Sequence, residues 1–194
     1  MALLRCGLPY QVVRASTWEP ESAQAALRAV NPMGQIPTLQ MDDGAVMTES
    51  AAILIHLGLR YPSSGLLPGN PAEQAQVLRG QVFVAANSYA AIGVIDYPER
   101  WHVGGSAAEL KALREGARNR LHQLWKVFAQ QFPVNSLFWG GEGPGALDLL
   151  AAVVSRWSGA RQHLAHRAPE LSPVFQRIET HPVLAPVFAR HWPG

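Results

Sequence analysis

The sequence predicts an α/β unit over residues 1–62 and an all-helical unit over residues 70–194, joined by a linker at 63–69. Three observations carry this reading. Up to Met47, short extended runs alternate with one helical pattern, whereas after Tyr61 the apolar residues recur only at helical spacing. Between the two, Pro62-Ser63-Ser64-Gly65-Leu66-Leu67-Pro68-Gly69 collects the residue types of turns.

Tyr10-Gln11-Val12-Val13-Arg14 reads as a strand, and Glu21 to Val30 as an amphipathic helix. Asn31-Pro32 ends that helix, because a proline pushes the residue before it out of the helical region, and Gly34 gives the following loop its freedom. Pro37 stands at the mouth of the extended run Thr38-Leu39-Gln40-Met41, where a missing N–H harms a ladder least. An X-Pro bond is the common place for a cis peptide. A cis Ile36-Pro37 bond would leave the N–H and C=O of Ile36 pointing out of the sheet, open to an extended peptide that pairs like an added strand. Asp42-Asp43-Gly44, between two apolar stretches, makes Thr38 to Met47 a hairpin. Ser50 then opens the helix Ala51-Ala52-Ile53-Leu54-Ile55-His56-Leu57, whose free N–H groups and positive end suit a carboxylate. Glu49 beside it suits an ammonium group, so the pair is complementary to one end of an amino acid.

The helical half marks its starts plainly. Asn70-Pro71-Ala72-Glu73 places a capping residue, a proline at the first helical position and a glutamate at the third, and Ser106-Ala107-Ala108-Glu109 is a capping box. In the second of these helices, Leu110, Leu113, Ala117, Leu121, Leu124, Phe128 and Phe132 recur at three- and four-residue steps as one buried stripe, and Pro133 ends it. Gly143-Pro144-Gly145-Ala146-Leu147-Asp148 introduces an apolar helix from Leu149 to Trp157. His181-Pro182-Val183-Leu184 leads into a terminal helix ending near Trp192.

The order N-P-x-G-Q-I-P, then Glu49-Ser50 and a helix, resembles the glutathione-binding half of the cytosolic glutathione transferase family, and the resemblance extends over nearly the whole chain. It implies a thioredoxin-like domain followed by an all-helical one, with the linker leucines docked on the helices. It also implies that Ile36, before a cis Pro37, pairs with the cysteinyl backbone of glutathione, that Glu49 and Ser50 hold its γ-glutamyl end, and that Gln35 reaches the glycyl carboxylate. Two departures stand out. The family usually has a hydroxyl residue three before the aspartate that Asp148 matches, forming a reciprocal cap, and here that position is Gly145; glycine can still occupy an N-cap. In the family a strand and a loop bearing the catalytic Ser, Tyr or Cys precede a helix ending in a phrase like Leu-Gly-Leu-Pro-Tyr, whereas here Cys6-Gly7-Leu8-Pro9-Tyr10 follows Met1 almost at once. The expectation is a start placed too far downstream; a sheet rebuilt from another segment or chain, or a partly disordered domain, are the alternatives. The catalytic residue is unassigned.

Composition agrees with a small soluble protein. Of 194 residues 48% are hydrophobic and 15% charged, which is globular composition. A net charge of +2, with Lys and Arg scattered, gives no footprint for nucleic acid. One cysteine excludes an internal disulfide framework and suits the reducing cytoplasm. No run approaches the roughly 18 apolar residues of a membrane span, and Met1 to Cys6 lacks the features of a signal peptide.

The remaining candidates divide. Cys6 lies at the end of a helix, the wrong end for stabilising a thiolate, and reads as structural. His163 and His166 are three apart, near a metal spacing, but without an acid or cysteine ligand they read as a surface pair, and no metal is expected. His56 reads as a core residue. Asp96-Tyr97-Pro98-Glu99-Arg100-Trp101-His102 ends the first long helix, which in the family lines the co-substrate pocket; Tyr97 and Trp101 either floor that pocket or pack between helices. The resemblance implies a homodimer that conjugates the glutathione thiolate to small apolar electrophiles. A non-catalytic binding or regulatory protein, or a sibling glutathione-dependent isomerase, ether-cleaving enzyme or reductase, are the alternatives, because function lives in the site and not in the fold.

Overall fold

The computed structural model describes residues 1–15 and 23–193. Its N-terminal part holds α1 (Ala2–Arg5), α2 (Gln24–Val30), a hairpin of β1 (Thr38–Gln40) and β2 (Val46–Thr48), and α3 (Ser50–Arg60). The hairpin is antiparallel, with Leu39 opposite Met47, and its turn uses Gly44 at φ +86° while Asp43 Oδ1 accepts the Ala45 N–H at 2.9 Å. Among the described residues the sheet has these two strands.

The strand expected at Tyr10 to Arg14 does not form. The segment has no ladder partner among the described residues, and Tyr10, Val12 and Val13 are exposed. An extended run whose N–H and C=O groups meet no neighbouring strand is coil, whatever its β-branched content. The helix expected from Glu21 begins at Gln24; Glu21 and Ser22 lie outside the described residues.

α3 buries Ala51, Leu54, Leu57 and Gly58 on one face. The chain then passes through a 3₁₀ turn at Pro62–Ser64, and Leu66 and Leu67 drop into the core at the junction with the helical part. Gly58 permits this approach: a Cβ there would stand 2.5 Å from Leu67 Cγ.

The helical part comprises α4 (Pro71–Phe83), α5 (Tyr89–Asp96), α6 (Ala107–Gln131), α7 (Ala146–Val154), α8 (Ala160–Arg167), α9 (Ser172–Thr180) and α10 (Ala185–His191). Asn70 Oδ1 accepts the N–H groups of Ala72 and Glu73, and Ser106 exchanges bonds with Glu109 in a full capping box. In α6 the apolar stripe sinks progressively: Leu110, Leu113 and Ala117 are half-buried, whereas Leu121, Leu124 and Phe128 are buried, joined by Trp125. α7 is the core helix, buried on nearly every face.

α7 also runs differently from expectation, from Ala146 to Val154 instead of Leu149 to Trp157. Its C-terminus is closed by a guanidinium from the next helix: Arg161 Nη2 donates to Ala152 O at 2.7 Å and to Ser155 Oγ at 2.9 Å. Ser158 and Gly159, at φ +55° and +77°, then reverse the chain. Glu179 accepts from Arg156 and Arg161, each at 2.6 Å, and ties α9 to the same corner.

Candidate functional site

A cleft of about 1320 Å³ separates the two parts, walled on one side by residues 31–37 and the start of α3 and on the other by α5, the turn after it and the Arg156–Ser158 corner. Each wall has a local cause.

The first wall is a loop pinned by Asn31. Its side chain is buried; Nδ2 donates to Gln35 O at 2.9 Å and to Thr38 Oγ1 at 3.1 Å, and Oδ1 accepts the Met33 N–H at 3.2 Å. Thr38 Oγ1 donates to the same Gln35 carbonyl at 2.8 Å. These bonds hold the loop from within, and Met33, Gly34, Gln35, Ile36 and Pro37 line the cleft. The Ile36-Pro37 bond is cis, and Ile36, 65% exposed, lines the opening with Gln35 and Pro37. Gly34, at φ +61°, carries the Arg28 side chain packed across it, 3.2 Å from where a Cβ would stand.

The floor is the start of α3. Glu49 is its N-cap residue and has φ +66°, a region that costs a non-glycine residue roughly 1–3 kcal/mol and that persists mainly at ligand sites and switches. Among the described residues no side chain caps this helix end. The N–H groups of its first turn therefore remain free for an anion, aided by the positive end of the helix dipole. Ser50 and Ala51 stand at that end and line the cleft.

The second wall comes from the helical part. Between α4 and α5 the residues Val84–Ser88 form a turn of π-helix, and Tyr89 follows it into the cleft. The Tyr89 hydroxyl lies 3.2 Å from Ser50 Oγ, and its ring meets Trp157 edge-on at 5.8 Å between centroids. Burial pushes the phenol above its ordinary pKa; the Ser50 bond opposes this and the nearby Glu49 carboxylate adds to it. Farther along, Tyr97 and Trp101 both line the cleft, and the Arg100 guanidinium sits 3.9 Å over the Tyr97 ring. Burial also raises the Asp96 carboxyl, against the pull of Arg114.

The candidates read from sequence thus converge: Gln35, Ile36, Pro37, Glu49 and Ser50 on one side, Tyr97 and Trp101 on the other, all in one cleft. Sequence reasoning missed Tyr89, Trp157 and the Asn31 network. Tyr89 is 39 residues from Ser50, and a five-residue π-turn leaves no pattern in the text; only Gly159, just past Trp157, signalled the corner that brings Trp157 round.

The other candidates lie elsewhere. Cys6 follows the last residue of α1, and burial pushes its thiol up, with a Ser64 hydrogen bond and Arg5 acting the other way. His163 and His166 line a separate groove, where His163 stacks on His122 at 4.4 Å between ring centroids. Among the described residues no group of three or more His, Cys, Asp or Glu is placed to hold a metal ion, and no helix is long and apolar enough to cross a membrane.

The comparisons with known proteins agree with this geometry. The family model for the glutathione S-transferase N-terminal domain matches residues 1–60. The uncharacterized GST-like protein YncG of Escherichia coli (strain K12) is 36% identical over 102 residues, 52% of this chain and 49% of that protein. A maleylacetoacetate isomerase of Pseudomonas aeruginosa is 37% identical over 78 residues, 39% of this chain and 37% of the isomerase. The matched regions therefore span about half or less of these curated relatives. A crystal structure of a glutathione transferase homologue from Sulfitobacter, with bound glutathione, superposes with a TM-score of 0.80 at 21% identity, covering 98% of this chain and 90% of that one. Residues 1–60 are thus similar to the glutathione S-transferase N-terminal domain, and the chain as a whole shares the fold of the glutathione transferases, a thioredoxin-like part followed by a helical part.

Proposed function

We propose that the cleft binds glutathione and presents its thiolate to a small apolar electrophile. The observation that carries this reading is that Gln35, Ile36 and Pro37 line the same cleft as the Glu49-Ser50 end of α3, which has no side-chain cap among the described residues. Paired with Ile36 like an added strand, the cysteinyl unit directs its sulfur toward the α5 wall. The γ-glutamyl carboxylate sits on the free N–H groups of α3 and Ser50, its ammonium faces Glu49, and Gln35 serves the glycyl end. Tyr97 and Trp101 offer flat apolar surface for the electrophile. Holding both reactants in one cleft supplies proximity, and the reaction forms a carbon–sulfur bond as the leaving group departs and the thiol proton passes to solvent.

The group that lowers the thiol pKa is left unassigned. Cys6, at the C-terminal side of α1 with its thiol pushed up, does not serve. We further propose that the protein acts as a homodimer in the reducing cytoplasm. Glutathione-dependent isomerisation is a second reading, favoured by the similarity to a maleylacetoacetate isomerase and by Arg28 and Arg100 on the cleft wall, which suit an anionic co-substrate.

Calorimetric titration with glutathione, followed by turnover of a chloronitrobenzene and of a cis-unsaturated dicarboxylate, tests these readings together. Conjugation of the first supports transfer and cis–trans conversion of the second supports isomerisation. Binding without either leaves a binding protein, and absence of binding sinks the site.

A further inference from the structure

Tyr89 of the helical part reaches the first turn of α3 from across the cleft, its hydroxyl 3.2 Å from Ser50 Oγ. We propose that Tyr89 is a positioning residue of the γ-glutamyl subsite, its hydroxyl orienting Ser50 Oγ toward the ligand carboxylate. This rests on the glutathione reading of the cleft and adds to it a residue that the N-terminal motif does not contain.

Three observations support the assignment. The hydroxyl-to-hydroxyl distance of 3.2 Å is long beside the usual value of about 2.7–2.8 Å for a closed O–H···O bond, so the pair is near but not locked. A carboxylate oxygen seated on the α3 N–H groups can accept from Ser50 while Tyr89 donates to Ser50 Oγ, and the separation then closes, as polar contacts in sites do when a ligand arrives. Second, the ring is fixed independently of the ligand by its edge-on contact with Trp157, so orienting Ser50 costs little further side-chain entropy. Third, the π-turn at Val84–Ser88 sits immediately before Tyr89. One extra residue in a helix rotates all that follows by about 100°, and such turns recur at functional sites. In an uninterrupted helix the residue at this angular position would be Ser88, too short to reach α3.

Either hydroxyl can donate in the Tyr89–Ser50 pair, and a ligand carboxylate that takes the Ser50 proton leaves Tyr89 as the donor. Burial, with Glu49 adding to it, keeps the phenol protonated against the opposing Ser50 bond. A protonated Tyr89 donates to Ser50 Oγ, which frees the serine's own proton for the carboxylate and aligns the two bonds in series.

The test is a double-mutant cycle read by calorimetry with glutathione and with γ-aminobutyryl-cysteinylglycine, which keeps the amine and lacks the γ-glutamyl α-carboxylate. Tyr89→Phe retains the ring and its Trp157 contact, as near-ultraviolet circular dichroism checks. It is expected to weaken glutathione about three- to tenfold, the range for losing one neutral hydrogen bond, and to leave the decarboxylated analogue within about twofold. In a Ser50→Ala background the same change is expected to cost less than about twofold, because the residue it acts through is gone. Equal glutathione affinities of Tyr89→Phe and the unsubstituted protein overturn the assignment while leaving the cleft reading intact. Equal losses for both ligands, or an undiminished loss in the Ser50→Ala background, also overturn it, since they mark Tyr89 as packing alone. Failure of the unsubstituted protein to bind glutathione overturns both readings at once.

Discussion

Asp148 Oδ2 accepts the Gly145 backbone N–H at 2.9 Å, across the first turn of α7, and Gly145 has no side chain to return the bond. The cap is therefore one-sided, and the rest of the carboxylate is used elsewhere: Oδ1 takes the Trp139 N–H at 3.0 Å and Oδ2 the Gly140 N–H at 2.9 Å. A Cβ on residue 145 would stand 3.0 Å from Leu66 O, which is held by the Ala146 N–H at 2.8 Å. The glycine admits the linker strand against the helix end, and Asp148, fully buried, stitches the 138–146 loop onto α7.

Removing that carboxylate would strand three backbone donors, the Gly145 N–H buried and those of Trp139 and Gly140 partly buried. Burial pushes the Asp148 carboxyl up to about 6, against the backbone N–H groups of Gly145, Trp139, Gly140 and Asp148 itself that pull it down, so it is ionised above neutral pH and accepts from the three loop N–H groups. Asp148→Ala is expected to destabilise by about 3–5 kcal/mol, the upper range for breaking a buried polar network. Urea unfolding with an unchanged m-value checks it; a loss below about 1 kcal/mol would show that the loop finds other acceptors.

The joint between the two parts depends on the absence of a side chain at Gly58. With a Cβ only 2.5 Å from Leu67 Cγ and 2.8 Å from Leu67 Cδ1, Gly58→Val is expected to cost about 1–3 kcal/mol through overpacking. Shortening the partner relieves the clash, so Gly58→Val combined with Leu67→Ala is expected to lose less than the sum of the single changes. Additive losses would mean the two residues do not meet.

Much of this was legible because capping is local. Asn70 and Ser106 announced two helix starts within four residues each, Gly145 and Asp148 marked a third that begins three residues before the expected Leu149, and Asn31 to Pro37 followed by Glu49-Ser50 announced the cleft's first wall. The strand expected at Tyr10 to Arg14 failed because a strand is a relation between segments, and alternation of side chains does not supply a partner. The end of α7 was misplaced because Arg161, which closes it, comes from the next helix. Tyr89 was invisible for the same reason: its role depends on a residue far away and on a π-turn without a sequence pattern.

The stacked histidines make stability depend on pH. Burial lowers the His163 pKa first, and the charges of His122, Arg167, His166 and Lys126 lower it further. The unfolded chain then binds more protons than the folded one just below the ordinary value of 6.5, so this contribution is complete above 6.5 and is lost as pH falls through it. His181, lowered by burial and by Arg5, acts in the same direction. Asp148, with its pKa raised, acts in the opposite direction but is common to both proteins compared. Between pH 7.5 and 5.5 the melting temperature is expected to fall less in His163→Gln than in the unsubstituted protein. Parallel curves would show that His163 titrates as in the unfolded chain.

In the proposed glutathione subsite, Glu49 holds a strained backbone at a helix end without a side-chain cap among the described residues, and the proposed partner of its carboxylate is the ligand ammonium. Glu49→Ala is expected to weaken glutathione binding by about 1.5–3 kcal/mol, the range for a hydrogen bond to a charged group. Glu49→Gly separates the two properties of the residue, since it removes the carboxylate and relieves the φ of +66°. It is expected to bind as weakly as the alanine variant while unfolding at higher denaturant. Full affinity in either variant would reduce Glu49 to a helix-cap residue.

The two halves of the cleft are expected to separate kinetically. Trp101 is 63% exposed and lines the same cleft as Ile36, so its indole offers apolar surface that a co-substrate bound there would cover. Partial burial of a ring face against a small ligand corresponds to about 1 kcal/mol, or some fivefold in affinity. Trp101→Ala is therefore expected to raise KM for an aromatic electrophile by about fivefold, with the calorimetric affinity for glutathione unchanged, because the side chain reaches no part of the α3 subsite. A parallel loss of glutathione affinity would mean that the tripeptide lies along α5 instead of along Ile36, and the assignment of the two walls would have to be exchanged.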